Sequence, residues 1–126
     1  HPDVASVNYA GLPSSPWYAT ANKVAPKGVG AVLSFELKGG VPAGKTLVES
    51  VSLFSHLANI GDVRSLIIHP ASTTHSQLTP EQQLTAGVTP GLVRLSVGLE
   101  HLDDIKADLE AGFAAARAAA AANALA

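Results

Sequence analysis

Residues 91–100 offer the clearest candidate for chemistry, because a single arginine stands there in a short apolar stretch between glycines. Side chains alternate in the manner of a strand, so one face is apolar and the other carries Arg94. A strand holds its side chains in place, and a planar guanidinium can pair with a carboxylate through two hydrogen bonds. Arg94 is therefore a candidate anchor for an α-carboxylate or a phosphate. The alternative is an ordinary arginine on a solvated sheet face.

Residues 39–46 match the phosphate-binding pattern G-x-x-x-x-G-K-[ST] and lie between a predicted strand and a predicted helix, as that pattern requires. Pro42, however, removes an N–H from a loop whose amides must point at the phosphates. His69 ends the next apolar run, where a magnesium-binding Asp would be needed. The strands also lack the continuous apolar runs of a buried parallel sheet. We interpret the motif as a Gly-Gly turn followed by an exposed Lys45.

The histidines do not predict a metal site. His69, His75 and His101 lack a metal-ligand spacing such as H-E-x-x-H. His69, at a strand end beside a proline, is more typical of packing or of a hydrogen-bonded cap. The chain also has no nucleophile elbow for Ser-His-Asp catalysis, and residues 28–30 precede a strand, so they do not form a dinucleotide-binding fingerprint.

The first half of the chain must supply the elements that position Arg94. Residues 6–9 predict a short strand, and Ser15 followed by Pro16 predicts a capped helix to about residue 23. Residues 31–37 alternate as a half-buried strand. From about residue 43 to residue 57 the apolar residues recur at helical spacing: Leu47, Val48, Val51, Phe54 and Leu57.

In the second half, residues 65–69 predict a central, mostly apolar strand that Pro70 ends. Residues 71–78 have neither period and predict a loop rich in hydroxyl side chains, a common location of functional residues. Thr79 and the following proline predict a short capped helix. A long helix begins near residue 102, and its run 114–126 is expected to fray because it has little to bury.

Together these elements predict an α/β (α+β) fold, a two-layer sandwich with one sheet face covered by helices and the other left open. The chain has 126 residues, 47% of them hydrophobic, which is enough for one domain with an apolar core. The first residue is His rather than Met, and we expect the chain to be a piece of a longer protein.

Charge and composition narrow the range of partners. The formal net charge is −2, so a strongly basic surface is absent, and neither nucleic acid nor an anionic membrane is an expected partner. No apolar run approaches the ~20 residues that span a bilayer. The chain has no cysteine, which excludes a disulfide framework and agrees with a cytoplasmic location.

Three stretches carry a resemblance to a known family. They are L-F-S-H-L-A-N-I-G-D at residues 53–62, H-P-A-S-T-T-H at residues 69–75 and V-R-L-S-V-G at residues 93–98. The chain, from its first residue to about Phe113, closely resembles the C-terminal domain of O-acetylhomoserine sulfhydrylases. These belong to the cystathionine γ-synthase-like group of pyridoxal-phosphate (PLP) enzymes of Cys and Met metabolism.

The resemblance implies that residues 1–126 form a C-terminal domain that closes over the substrate and has a mostly antiparallel sheet. In such enzymes an upstream domain holds the PLP cofactor and its lysine. We therefore expect no catalytic, cofactor-binding or metal-binding residue in this chain, and no cofactor role for its lysines: Lys23, Lys27, Lys38, Lys45 and Lys106. The chain alone should be inactive.

The resemblance also implies substrate-binding residues. Arg94 falls on the arginine that fixes the α-carboxylate of the amino-acid substrate. Asn59 stands where many relatives have the serine of a Ser-Leu-Gly triplet that helps to seat that carboxylate, and its side chain offers an amide donor instead. Ser72, Thr73 and Thr74 are expected at the substrate entrance.

The implied reaction is γ-replacement, in which O-acetylhomoserine reacts with sulfide or a thiol to give homocysteine or methionine and acetate. The full-length enzyme of such a family is usually a homotetramer. Two alternatives stay within the family, a cystathionine γ-synthase and a methionine γ-lyase. A remote alternative is a free-standing nucleotide or amino-acid binding module, which the sequence upstream of His1 would distinguish.

Overall fold

The computed structural model describes residues 1–124, and its centre is one five-stranded sheet. The strands are β1 (Val4–Asn8), β2 (Val32–Leu37), β3 (Ser55–His56), β4 (Leu66–Ile68) and β5 (Leu92–Ser96). They lie in the order β1-β2-β5-β4-β3, and each neighbouring pair is antiparallel except β3 with β4. The predicted mostly antiparallel sheet is confirmed, and the strand that carries Arg94 lies in its middle.

Four α-helices accompany the sheet in the described part of the chain: α1 (Tyr18–Val24), α2 (Gly40–Ser50), α3 (Pro80–Thr85) and α4 (Leu102–Ala124). A short 3₁₀ helix, Pro70–Ser72, follows β4. Helices α2 and α4 pack on each other and against one face of the sheet. This arrangement confirms the predicted two-layer sandwich with helices on one face.

The core lies between that helical layer and the sheet. The register pairs Phe35 on β2 with Val93 on β5, and Ile67 on β4 with Leu95 on β5. These side chains are buried together with Leu47 of α2. Burial of each such side chain contributes about 1.5–3 kcal/mol to the stability of the fold. The apolar side chains that alternate along each strand therefore determine which face of the strand turns toward the core.

Helix α2 ends earlier than its periodicity predicts. The predicted helix over residues 43–57 is wrong beyond Ser50: Phe54 enters the core from a loop, and Leu57 is exposed beyond β3. The reason is a carboxylate on another helix. Asp108 of α4 accepts hydrogen bonds from three consecutive backbone N–H groups, those of Ser52 at 2.8 Å, Leu53 at 2.9 Å and Phe54 at 3.1 Å.

The phosphate-binding motif lies almost entirely inside α2, which begins at Gly40. No Gly-rich loop is therefore present at residues 40–46 to surround a phosphate. Gly44 has a packing role, because a β-carbon at this position would lie 2.6 Å from Nε2 of His69. Lys45 is exposed and lies 3.9 Å from Glu49 one turn further on, in agreement with our interpretation of the motif.

Helix α4 continues through Ala124, across most of the run 114–126 for which fraying is expected; residues 125 and 126 lie outside the described part. Two contacts support the additional turns. Ala116 is buried against the core, and the Arg117 guanidinium forms ion pairs with Asp3 and, at 3.2 Å, with Glu110. Contacts made far apart in sequence therefore stabilise a segment that its own composition leaves unsupported.

Other boundaries follow the sequence with small shifts. Helix α3 has the predicted cap, in which Thr79 and Gln82 each hydrogen-bond the other's backbone N–H. Helix α1 begins at Tyr18 rather than at Pro16, because Ser15 Oγ accepts from the Trp17 N–H in the turn before it. The two-residue strand β3 was not predicted. Among residues 1–124, no helix has the length and apolarity needed to cross a membrane.

We predict that Asp108→Asn lowers the free energy of unfolding by about 2–3 kcal/mol, because an amide offers one oxygen to three N–H donors and turns its own N–H₂ toward them. Equilibrium urea denaturation measures the change. Asp104→Asn, an exposed site in the first turn of the same helix, is the matched control and should cost under about 1 kcal/mol. Equal losses in both variants would show that the three Asp108 hydrogen bonds contribute no more stability than an exposed carboxylate of the same helix.

Candidate functional site

A cleft of about 470 Å³ opens on the sheet face that lies opposite the helical layer. Strands β2, β4 and β5 form its floor through Val32, Ser34, Ile68, Leu92 and Arg94. One wall is the segment after β4, and the other is the turn between α3 and β5. The wall residues are Pro70, Thr74 and His75 on the first side and Ala86, Gly87 and Val88 on the second.

Arg94 rises from the middle of this floor. The register places it between Ser34 on β2 and Ile68 on β4, and its side chain is half-buried. Its Nη2 donates to the backbone oxygen of Asn59 at 3.4 Å. Within residues 1–124, no carboxylate lies within 4.0 Å of the guanidinium. A fixed cation with free N–H donors in a largely apolar cleft is suited to bind a carboxylate.

The structure brings Asn59 to Arg94 through the backbone. The Asn59 carbonyl accepts from the guanidinium, while Oδ1 of the side chain accepts from the Ile60 N–H at 2.9 Å. The contact uses the backbone oxygen of Asn59, so the residue type at position 59 could not predict it. Contact between the Asn59 amide and a substrate carboxylate stays a prediction.

The three hydroxyl residues expected at the entrance have different surroundings. Thr74 is exposed and lines the cleft. The Thr73 hydroxyl donates to the His69 carbonyl at 2.8 Å, and Ser72 Oγ lies 2.8 Å from Nδ1 of His69. The hydroxyls of Thr73 and Ser72 thus stabilise the 3₁₀ turn, whereas Thr74 lines the cleft and its contact with a substrate stays a prediction.

His69 is fully buried and joins the two walls. Its Nε2 lies 2.7 Å from the Pro90 carbonyl, which only accepts, so Nε2 carries the hydrogen. In the neutral ring Nδ1 then accepts from Ser72. This is the hydrogen-bonded packing role that the sequence indicated for His69.

His75 was not predicted as a site residue, yet its ring lines the cleft beside Thr74, whose hydroxyl lies 2.8 Å from Nδ1. Its backbone is held firmly: Gln83 of α3 donates to the carbonyls of His75 at 2.8 Å and of Ala71 at 3.0 Å. Two sequence signals marked this wall, the hydroxyl-rich loop after β4 and the family resemblance of residues 69–75, but neither assigned a role to His75.

Cofactor chemistry needs groups that the described cleft does not contain. None of the five lysines lines it, and Lys38 donates instead to the Pro2 carbonyl at 2.7 Å. Residues 1–124 contain no group of three or more histidines and carboxylates placed to hold a metal ion. Arg94 is the one cation among the residues that line the described cleft, and its pairing with a substrate carboxylate stays a prediction.

The carboxylate of Glu100 stabilises the backbone near the cleft. Glu100 accepts from the Ser65 N–H and from the Ser65 hydroxyl, each at 2.7 Å. Ser65 is fully buried, and its Oγ also accepts from the Gly98 N–H at 2.9 Å. The two hydrogen bonds from Ser65 lower the pKa of Glu100 below its ordinary value of 4.5.

Comparison with known proteins gives concordant results. The family model described as "Cys/Met metabolism PLP-dependent enzyme" matches residues 1–114. The O-acetyl-L-homoserine sulfhydrylase of Leptospira meyeri is 59% identical over 111 residues, which are 87% of this chain and 25% of that protein. The L-methionine gamma-lyase of Fusobacterium nucleatum subsp. nucleatum is 54% identical over 112 residues, 89% of this chain and 28% of that protein.

A solved structure agrees with these relatives. The cystathionine gamma synthase of Xanthomonas oryzae pv. oryzae, in complex with cystathionine, superposes with a TM-score of 0.81 at 42% identity. The alignment covers 94% of this chain and 30% of that one. The chain thus spans about a quarter of the length of the curated relatives that it matches.

We predict that Glu100→Gln lowers the stability at neutral pH and flattens its acid dependence. A lowered carboxyl pKa adds stability above the unfolded value, and that stability disappears as the pH falls through the folded value. Unfolding free energies measured between about pH 7 and pH 3 should therefore fall less steeply in the variant.

Ser65→Ala provides a second test of the same contact, because it removes one of the two donors to Glu100. It should flatten the curve in part, since the backbone N–H donor remains. Identical pH curves for wild type and Glu100→Gln would contradict the assigned cause.

Proposed function

Because the chain belongs to the family of Cys/Met metabolism PLP-dependent enzymes, we propose that it is the C-terminal, substrate-closing domain of an O-acetylhomoserine sulfhydrylase. One observation supports this function above the others: Arg94, without a carboxylate partner in residues 1–124, stands on the rigid central strand of an apolar-walled cleft. Arg94 is the proposed anchor of the substrate's α-carboxylate.

The proposed reaction is γ-replacement. O-acetylhomoserine and hydrogen sulfide give homocysteine and acetate, and a thiol such as methanethiol in place of sulfide gives methionine. When bound, pyridoxal phosphate supplies the electron sink that stabilises negative charge on the substrate carbons. The full-length protein would thereby act as a PLP-dependent transferase.

The residues of this chain contribute orientation. Two parallel N–H···O hydrogen bonds from Arg94 fix both the position and the plane of a carboxylate. Its strand is antiparallel-paired on both sides, so the backbone from which the Arg94 side chain extends is held in place. A substrate held at its carboxylate has its remaining bonds in one orientation, which lowers the entropic part of the barrier. Thr74 and His75 are proposed to face the rest of the substrate from the wall.

The cofactor and the second half of the site are proposed to lie in an upstream domain of the same protein. The absence of a lysine from the described cleft supports this division. The segment beside Arg94 also exposes large apolar side chains, as a surface covered by another body would: Leu57, Ile60, Val63 and Leu99. A homotetrameric assembly and a cytoplasmic location belong to the same proposal, and the lack of cysteine agrees with a reducing compartment.

Two further activities within the family, methionine γ-lyase and cystathionine γ-synthase, are alternatives to the proposed one. The methionine gamma-lyase and the cystathionine gamma synthase reported above share more than two fifths of their aligned residues with this chain. An α-carboxylate anchor serves all three reactions equally, so Arg94 does not discriminate between them. Assays of the full-length protein with sulfide, cysteine and methionine separate them, and we expect sulfide with O-acetylhomoserine to give the highest kcat/KM.

We predict that Arg94→Lys in the full-length protein lowers kcat/KM for O-acetylhomoserine about 10- to 100-fold, because a point donor replaces a planar fork. Arg94→Ala should lower it further, since the carboxylate then has no partner in the cleft. Steady-state kinetics measure both changes.

The control is Arg117→Lys, which keeps the charge at an exposed site on α4 and should leave kcat/KM unchanged. The cofactor absorbance should survive all three substitutions. Near-normal kcat/KM in Arg94→Ala would show that the arginine does not anchor the substrate.

We also predict where the cofactor attaches. Borohydride reduction of the full-length holoenzyme, followed by peptide mapping, should place the pyridoxyl group on a lysine outside residues 1–126. A stoichiometric pyridoxyl group on any of the five lysines of this chain would contradict the proposed division between domains.

A further inference from the structure

Residues 59–65, here called the strap, run beside residues 94–100 and bond to them along their length. The strap begins at the Asn59 carbonyl, which accepts from Arg94, and ends at Ser65, which donates to Glu100. Between these ends, the Gly61 N–H donates to Ser96 Oγ at 3.3 Å, and the Leu99 N–H donates to the Val63 carbonyl at 2.9 Å.

The strap depends on two glycines for its path. Gly61 has φ +81, a left-handed conformation that L side chains rarely adopt. Gly98 lies directly against the strap, where a β-carbon would stand 2.6 Å from the Ser65 nitrogen. Both features hold the strap close to the strand that carries Arg94.

Ser96 connects the strap to the site. It lies two residues beyond Arg94 on the same face of β5 and is buried, with 3% of its surface exposed. Its hydroxyl fixes Gly61, and Gly61 lies two residues from the carbonyl that accepts from Arg94. A free arginine side chain samples many rotamers, so one fixed hydrogen bond at Nη2 restricts the directions in which its other donors point.

We propose that the strap is a positioning element for Arg94 and that Ser96 is the positioning residue that acts through it. Ser96 holds Gly61, the strap places the Asn59 carbonyl, and this carbonyl aims the guanidinium so that its other N–H groups face the cleft. Neither Ser96 nor Gly61 lines the cleft. The inference rests on the proposed function, because it requires that Arg94 binds the substrate carboxylate.

The test is a double-mutant cycle in the full-length holoenzyme with O-acetylhomoserine and sulfide: Ser96→Ala, Arg94→Ala and the double variant. Ser96→Ala should raise KM about fivefold, which corresponds to the loss of one neutral hydrogen bond, and should change kcat by no more than about twofold. In the Arg94→Ala background the same substitution should change nothing further, because its effect passes through the arginine. Ser50→Ala, which removes an exposed hydroxyl bonded within α2, should leave KM unchanged.

The cycle separates the two proposals. If Arg94→Ala leaves kcat/KM unchanged, the carboxylate anchor itself is wrong. If Arg94→Ala is damaging while Ser96→Ala leaves KM unchanged, the anchor stands and the strap proposal is overturned. If the effects of the two substitutions add, Ser96 acts on stability alone and the proposal is likewise overturned.

A second readout does not depend on turnover. Hydrogen exchange of the Gly61 amide should be faster in Ser96→Ala than in wild type, because its acceptor is lost, while the amides of α2 should keep their rates. If Ser96→Ala fails to fold, Gly61→Ala replaces it in the cycle, since its β-carbon meets open space and strains only the backbone. Unchanged exchange at Gly61 in Ser96→Ala would overturn the proposed link.

Discussion

Burial of one face of β5 is the constraint on which the rest of the structure depends. Val93 and Leu95 project from the sheet toward the helices α2 and α4, and both are almost completely buried. Because side chains alternate along a strand, a slip of one residue would place Arg94 in this core and expose both apolar side chains. The packing energy of the helical layer thereby holds the guanidinium on the open face.

Polar groups from distant elements shape the walls around that face. His69 joins the 3₁₀ turn to Pro90, and Gln83 ties the loop after β4 to α3. Glu36 of β2 accepts from the Gly91 N–H at 3.0 Å and from Thr89, so it holds the turn that leads into β5. Each group satisfies backbone or hydroxyl donors that irregular segments would otherwise leave unpaired. The walls of the cleft are therefore irregular segments whose geometry these hydrogen bonds fix, while its floor is the sheet.

Packing explains residues that a motif search would assign to a ligand. Gly44 belongs to a phosphate-binding pattern, yet its missing side chain makes room for the buried His69 ring. Gly91 and Gly98, which flank Arg94, likewise allow close approach, to Glu36 Oε1 and to the backbone of residues 63–65. Arg94 differs from these residues, because its side chain faces the open cleft and has no carboxylate partner within the described chain.

The sequence by itself determined the strands β1, β2, β4 and β5, the two-layer class, the family resemblance and the face on which Arg94 stands. Alternation and helical spacing record which side chains of an element are buried, so the elements that form the core can be recognised in the sequence. Tertiary structure decided the early end of α2, the position of His75 in the cleft and the contact of the Asn59 carbonyl with Arg94. Asp108 lies more than fifty residues from the amides it binds, and Asn59 lies 35 residues from Arg94. Hydrogen bonds between residues so far apart in the sequence produce no repeating pattern of residue types, so only the folded structure reveals them.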